Sequence, residues 1–247
     1  MSSLDSITRQ LPDGYYSTFR TYAGCTRVIG LAAHLRRLPN ADASSLRQNL
    51  LQLLEPYRSH DGEARVRILE TKQGQFYIAI EPLKLLPREI YENGVRIETT
   101  SIQRNNPRAK STSFISASDE ERKHISQKGI FEALLVKNGR ILEGMTSNFF
   151  YVIDETIFTA QKDILLGITR TMVIRAARSR GVEVRYRALE LSQLQAVKEA
   201  FITSSSRGIV PVVQIDEVKV GKGKVGPMTK KLMLAYAEDV LKNSEKI

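Results

Sequence analysis

An Asn-Gly pair at positions 138–139 fixes a reversal of chain direction near the middle of this sequence. Both residue types tolerate the positive backbone φ that a two-residue type I′ turn requires, and that turn carries the twist of paired strands. Apolar runs flank it, Ala133-Leu-Leu-Val-Lys137 before and Arg140-Ile-Leu-Glu143 after, so the segment reads as a β-hairpin. Asn148 to Ile153 continues as a strand.

The first third reads as strands around one helix. Gly14 to Tyr22 alternates like a strand, and Ser44 and Ser45 stand where they would cap a helix with the stripe Leu46, Leu50, Leu51, Leu53 and Leu54. Ala64 to Glu70 and Gln75 to Glu81 read as a hairpin about Lys72-Gln-Gly74, and the prolines of Pro82-Leu-Lys-Leu-Leu-Pro87 mark a linker. Further on, Ser118-Asp-Glu-Glu121 has the form of a capping box, and Thr169 to Arg180 reads as a helix stopped by Gly181. Val182–Arg187 and Ala200–Thr203 read as strands, before a final helix from about Met228 to Lys242. The expected fold is α+β in two domains: a small N-terminal α/β domain (1–83), a linker (84–90) and a larger C-terminal α+β domain (91–247). A cleft is expected between the two.

Composition excludes several classes. At 42% hydrophobic and 26% charged residues the chain is ordinary for a soluble protein. No stretch approaches the roughly 18 apolar residues of a membrane span, nor has the start a signal-peptide core. One cysteine, Cys25, allows no internal disulfide, so the expected location is cytoplasmic. The net charge of +10 raises nucleic acid as a partner, but the lysines and arginines are scattered and no basic run interleaves with aromatics. The expectation is no nucleic acid and no membrane. His34, His60 and His124 form no metal-ligand spacing, so no metal is expected.

The chemistry lies in four segments in fixed order. Lys110 sits in Pro107-Arg-Ala-Lys-Ser-Thr112; then come Glu143-Gly-Met-Thr-Ser-Asn-Phe-Phe150, Leu165-Leu-Gly-Ile-Thr-Arg170, and Phe201-Ile-Thr-Ser-Ser-Ser206 with Pro211. A lysine amine can form an imine with an aldehyde when partly desolvated. A carboxylate can keep a pyridine nitrogen protonated, and a Gly-Ile-Thr helix start offers N–H groups and a positive dipole end to phosphate. These are the parts that would hold pyridoxal 5'-phosphate (PLP).

In this order the segments resemble the fold type IV, or class IV, PLP enzymes, a family of branched-chain aminotransferases, D-amino-acid aminotransferases and aminodeoxychorismate lyases. The resemblance implies that Lys110 is the Schiff-base lysine and that Glu143 pairs with the pyridine nitrogen, with Ser147 and Asn148 ordering the local backbone. It implies a phosphate cup of Ile168 and Thr169 amides, Ser205, and Arg37 of His34-Leu-Arg-Arg-Leu38, with neighbouring Arg36 in solvent. Leu165 matches the position that packs on the ring. The implied reaction moves an amino group between an amino acid, small aliphatic or branched-chain, and a 2-keto acid, in a homodimer. The alternatives are an aminodeoxychorismate lyase, a D-amino-acid aminotransferase, or a PLP-holding regulatory protein without turnover.

Two departures bear on substrate. Phe114 stands in the aligned region where many relatives have a tyrosine hydroxyl for the cofactor's phenolic oxygen, and the turn Thr71-Lys-Gln-Gly-Gln75 lacks the usual carboxylate partner. Arg20, Lys72 and Arg207 are candidates for that partner, with Tyr16 and Ser206 as further substrate neighbours. Finally, Gly221-Lys-Gly-Lys-Val-Gly226 spells a dinucleotide fingerprint, but the strand with an acid about 20 residues on that such a fold needs is not expected after it. It is expected to be a glycine-rich turn, with Pro227 opening the last helix.

Overall fold

The computed structural model describes residues 3–58 and 62–247, so His60 lies outside the described residues. The chain forms two compact units. The first takes in the chain through Leu85 together with Ala109–Ala117 and Val240–Ile247; the second holds Leu86–Arg108 and Ser118–Asp239. The sequence division 1–83, 84–90 and 91–247 is contiguous, whereas these units exchange segments, and Lys110 lies in the first.

In the first unit, β1 (Gly14–Tyr22), β2 (Arg27–Val28), β3 (Ala64–Thr71) and β4 (Phe76–Pro82) form an antiparallel sheet in the order β2-β1-β3-β4, with Glu245–Lys246 beside β2. The side-chain period of two puts Phe19 of β1 with Val66 and Ile68 of β3 into one apolar core. The helix Ala43–Arg58 adds Leu46, Leu50 and Leu54 to it, each such burial contributing about 2 kcal/mol. The expected stripe is narrower, because Leu53 stays 45% exposed. The cap also differs: Asp42 accepts from the amide of Ser44 (3.1 Å) and the hydroxyl of Ser45, so both serines lie within the helix. The segment bearing Lys110 lies along β1, with Tyr16 N–H donating to Lys110 O (2.9 Å) and Gly14 N–H to Thr112 Oγ1 (3.0 Å). Gly14 is required there, since a Cβ would meet Glu70 O at 2.0 Å.

The second unit is built on a ten-stranded sheet. Its strands are β5 (Val95–Thr100), β6 (Glu132–Lys137), β7 (Arg140–Gly144), β8 (Asn148–Ile153), β9 (Thr156–Thr159), β10 (Val184–Tyr186), β11 (Leu189–Glu190), β12 (Glu199–Ser204), β13 (Gly208–Ile215) and β14 (Val218–Lys219). The path β8-β12-β13-β5-β6-β7 closes on itself through a β7–β8 pairing, giving a barrel. Ile97, Leu134, Ile141, Phe149, Tyr151, Ile202, Val210 and Val212 share one buried core. Alternation sends Asn148, Phe150, Phe201 and Thr203 to the other face, where Phe150 and Phe201 stack at 4.9 Å. The fold is mixed α+β, as the sequence implies, with an antiparallel sheet first and a larger barrel-like sheet second.

The Asn138-Gly139 turn has φ of 51° and 72°, as a type I′ hairpin demands. The capping box at Ser118 does not form. Its hydroxyl accepts instead from Arg122 Nε (2.9 Å), and no side chain caps the helix Asp119–Gln127. The linker region is helical from Arg88, with Pro87 at the N-cap.

Candidate functional site

In the second unit the strands bring Glu143 and Asn148 opposite each other, across a turn so tight that a Cβ on Gly144 would meet Ser147 Oγ at 2.2 Å. Glu143 is 2% exposed. Its Oε2 accepts from Asn148 Nδ2 (3.1 Å) and Leu165 N–H (3.0 Å), while its Oε1 faces Arg104 Nε at 3.2 Å. Asn148 also donates to Leu165 O (2.7 Å), which pins the loop ahead of the helix Ile168–Arg178. That helix opens at Gly167 with no side-chain cap, and a Cβ on Gly167 would strike Asn148 Oδ1 at 2.1 Å. The glycine therefore serves close packing and leaves the helix-start amides to a partner other than a capping side chain. Arg104 was not among the sequence candidates. Only its place six residues before the lysine hinted at it, because pairing with Glu143 depends on strand register.

Ser205, Ser206 and Arg207 form the turn between β12 and β13, all partly buried. Arg207 bridges this turn to the Glu143 motif: its NH2 group donates to Glu132 Oε2 (2.9 Å) and Thr146 Oγ1 (2.6 Å), and its Nε to Ser204 Oγ (3.1 Å). Glu132 accepts as well from Thr146 N–H (2.9 Å) and Ser147 Oγ (3.3 Å). Sequence reasoning missed Glu132 entirely, since a glutamate opening a strand gives no sign of being buried.

In the first unit Lys110 Nζ lies 4.8 Å from the centroid of the Tyr16 ring, and the Arg67 guanidinium carbon lies 4.7 Å from it. An amine over an aromatic face is partly stripped of water while its cation is still stabilised. Ser17, the next residue on β1, hydrogen-bonds His34 Nδ1 at 2.8 Å. His34 is buried, and that burial holds its pKa well below 6.5, with the charges of Arg37 and Lys110 lowering it further. Arg37, one turn on, is partly buried, and burial lowers its pKa against the opposing influence of Tyr16, while Arg36 is exposed. The unit thus carries a positive cluster of Arg37 and Lys110 around a neutral imidazole. Arg20 lies over the Tyr22 ring at 4.7 Å, and Lys72 is exposed.

The glycine-rich fingerprint resolves structurally. Glu199 accepts from the amides of Met228 (3.0 Å) and Thr229 (2.7 Å), occupying the helix start where a dinucleotide's phosphates would lie. Gly226 makes room for it, since a Cβ there would fall 2.1 Å from the Glu199 carboxyl carbon. Among the described residues no group of three or more His, Cys, Asp or Glu is placed to hold a metal, and no helix is long and apolar enough to cross a membrane.

An N-terminal antiparallel sheet, a barrel-like second sheet, and a lysine, a buried carboxylate and an uncapped helix start in this order define the class IV aminotransferase type. Residues 14–215 match the family model described as amino-transferase class IV, and the chain belongs to that family. It is 30% identical to a Methanocaldococcus jannaschii protein provisionally named branched-chain-amino-acid aminotransferase, over 89% of this chain and 84% of the relative. A Bacillus subtilis aminodeoxychorismate lyase is 27% identical over 92% and 85%. The fold matches a branched-chain amino acid aminotransferase from Thermotoga maritima, likewise provisionally named, at a TM-score of 0.82 and 26% identity, over 98% of this chain and 91% of that one.

Proposed function

We propose that this protein is a PLP-dependent aminotransferase that moves an amino group between an amino acid, small aliphatic or branched-chain, and a 2-keto acid. The observation that carries the reading is the buried Glu143, held by Arg104, Asn148 and the Leu165 amide within a class IV family match. The residues fit the cofactor's chemistry: the helix start after Gly167 lacks a side-chain cap, and the Thr203 hydroxyl is buried without a partner.

In this proposal Lys110 would hold the cofactor covalently, and its free amine would move the proton at the substrate Cα. Glu143 stands at the ring nitrogen, and Leu165 packs on the ring face. The amides of Ile168 and Thr169, with Ser205 and Arg37, hold the phosphate. Ser147 and Asn148 order the turn between Glu143 and β8. When bound, PLP supplies the electron sink for charge developing at Cα. Arg20, Lys72, Arg207, Tyr16 and Ser206 remain the substrate candidates, and Arg207 is the least suited because Glu132 already holds it. A homodimer is the proposed assembly and the cytoplasm the proposed location, with no nucleic acid as partner.

The B. subtilis relative supports a second reading, pyruvate elimination without a keto-acid acceptor. Titrating PLP into the purified protein and then adding a panel of amino acids separates them. A visible absorption band that one donor shifts, with keto acid formed, supports transamination. Pyruvate from a chorismate-type amine without acceptor supports the lyase. A Lys110→Ala variant that still forms the band would sink both.

A further inference from the structure

Among the described residues, the Thr203 hydroxyl oxygen is a buried polar atom with no hydrogen-bond partner, in a side chain only 2% exposed. A native fold seldom leaves such a group unmatched, because its lost hydration is then uncompensated. The position of Thr203 indicates what would match it. On β12 it stands directly opposite Asn148 of β8, and directly opposed residues project from the same face of a sheet. On that face Asn148 Nδ2 reaches Leu165 O at 2.7 Å, and Gly167 packs so closely that a Cβ would lie 2.1 Å from Asn148 Oδ1. Gly167 begins the 11-residue helix Ile168–Arg178, which has no side-chain cap and lies against β12. An unpartnered hydroxyl and the positive end of a helix therefore share one side of β12.

We infer that the Thr203 hydroxyl belongs to the anion site at the start of the helix Ile168–Arg178, and that the ligand is a phosphate monoester dianion. A hydroxyl can donate to a phosphate oxygen beside the helix amides, and a tetrahedral dianion has enough acceptor oxygens for both. The inference rests on the proposed cofactor reading and gives a role to a hydroxyl two residues before Ser205 to which the motif itself assigned none.

The test uses Thr203→Val, which keeps the shape and removes the hydroxyl, and Thr203→Ser, which keeps the hydroxyl. PLP, pyridoxal without phosphate, and inorganic phosphate are the probes, read by equilibrium binding and by melting temperature. The expected result is that Thr203→Val without ligand melts at or above the wild type, because an unmatched buried hydroxyl is gone. It should bind PLP about tenfold more weakly, as loss of one good hydrogen bond predicts, while pyridoxal binding is unchanged and Thr203→Ser restores PLP affinity. Unchanged PLP affinity would overturn the inference. So would equal weakening toward PLP and pyridoxal, or a lower melting temperature without ligand, which would mark a purely structural hydroxyl or one bound to water. If the wild type takes no PLP, the cofactor reading fails on its own, and inorganic phosphate decides this inference. A phosphate-dependent rise in the wild-type melting temperature that Thr203→Val loses supports the site, and no rise in the wild type overturns it.

Discussion

Arg104 Nε and Glu143 Oε1 face each other at 3.2 Å with side chains 8% and 2% exposed, a charge pair almost wholly out of water. Removing one partner of such a pair strands the other charge, which costs more than the pair itself contributes. Arg104→Met should lower unfolding free energy by about 3 kcal/mol and weaken PLP retention, both read by urea titration with and without cofactor. A variant as stable as the wild type would show that the Leu165 and Asn148 donors suffice for Glu143.

The Glu132–Arg207 bridge gives a second prediction. Arg207→Ala should destabilise by about 2 kcal/mol, and a double-mutant cycle with Glu132→Gln should show coupling between the sites. The keto-acid KM of Arg207→Ala should stay at the wild-type value, since the guanidinium is engaged with Glu132, Thr146 and Ser204. A large rise in KM alone, with stability intact, would instead make Arg207 a substrate ligand.

His34 supplies a pH dependence. Its folded pKa is depressed by burial and then by the charges of Arg37 and Lys110, so the unfolded chain binds more protons below about 6.5. The stability linked to a neutral His34 is therefore complete above that pH and is lost as pH falls below it toward the folded value. Melting temperatures taken between about pH 5 and pH 8 should show this acid loss, and His34→Gln should flatten it.

At the glycine-rich turn, Gly226→Ala should cost about 2 kcal/mol by pushing the Glu199 carboxylate off the amides of Met228 and Thr229. The wild type should not be retained on an immobilised nicotinamide dinucleotide. Retention that Gly226→Ala abolishes would revive the fingerprint.

Local chemistry was readable from the sequence wherever one residue dictates backbone shape. Asn138-Gly139 announced its hairpin, and Pro227 announced the start of the last helix. Capping was less legible, because Asp42, Ser44 and Ser45 are all capable caps and it is Asp42 that accepts from the other two. Similarly, the Ser118 hydroxyl accepts from Arg122 Nε and its capping box stays unformed. What the sequence could not express was contact at long range. Arg104 meets Glu143, and Arg207 meets Glu132, only because β5, β6, β7 and β13 are neighbours in a ring, with 39 and 75 residues separating the partners. The placement of Ala109–Ala117 in the first unit is of the same kind, resting on Thr112 contacts with Asp13 and Gly14.

Asn148 is paired on one side with Glu143 and on the other with Thr203. Because strand side chains alternate with a period of two, an insertion or deletion between 143 and 148 that slipped β8 by one residue would not merely displace a loop. It would turn Asn148 to the barrel interior and Phe149 to the helix face, taking the amide from Glu143 and an apolar ring from the core in one step. The turn is short for that reason: its length works as a ruler, and an error of one residue in it would be an error of chemistry.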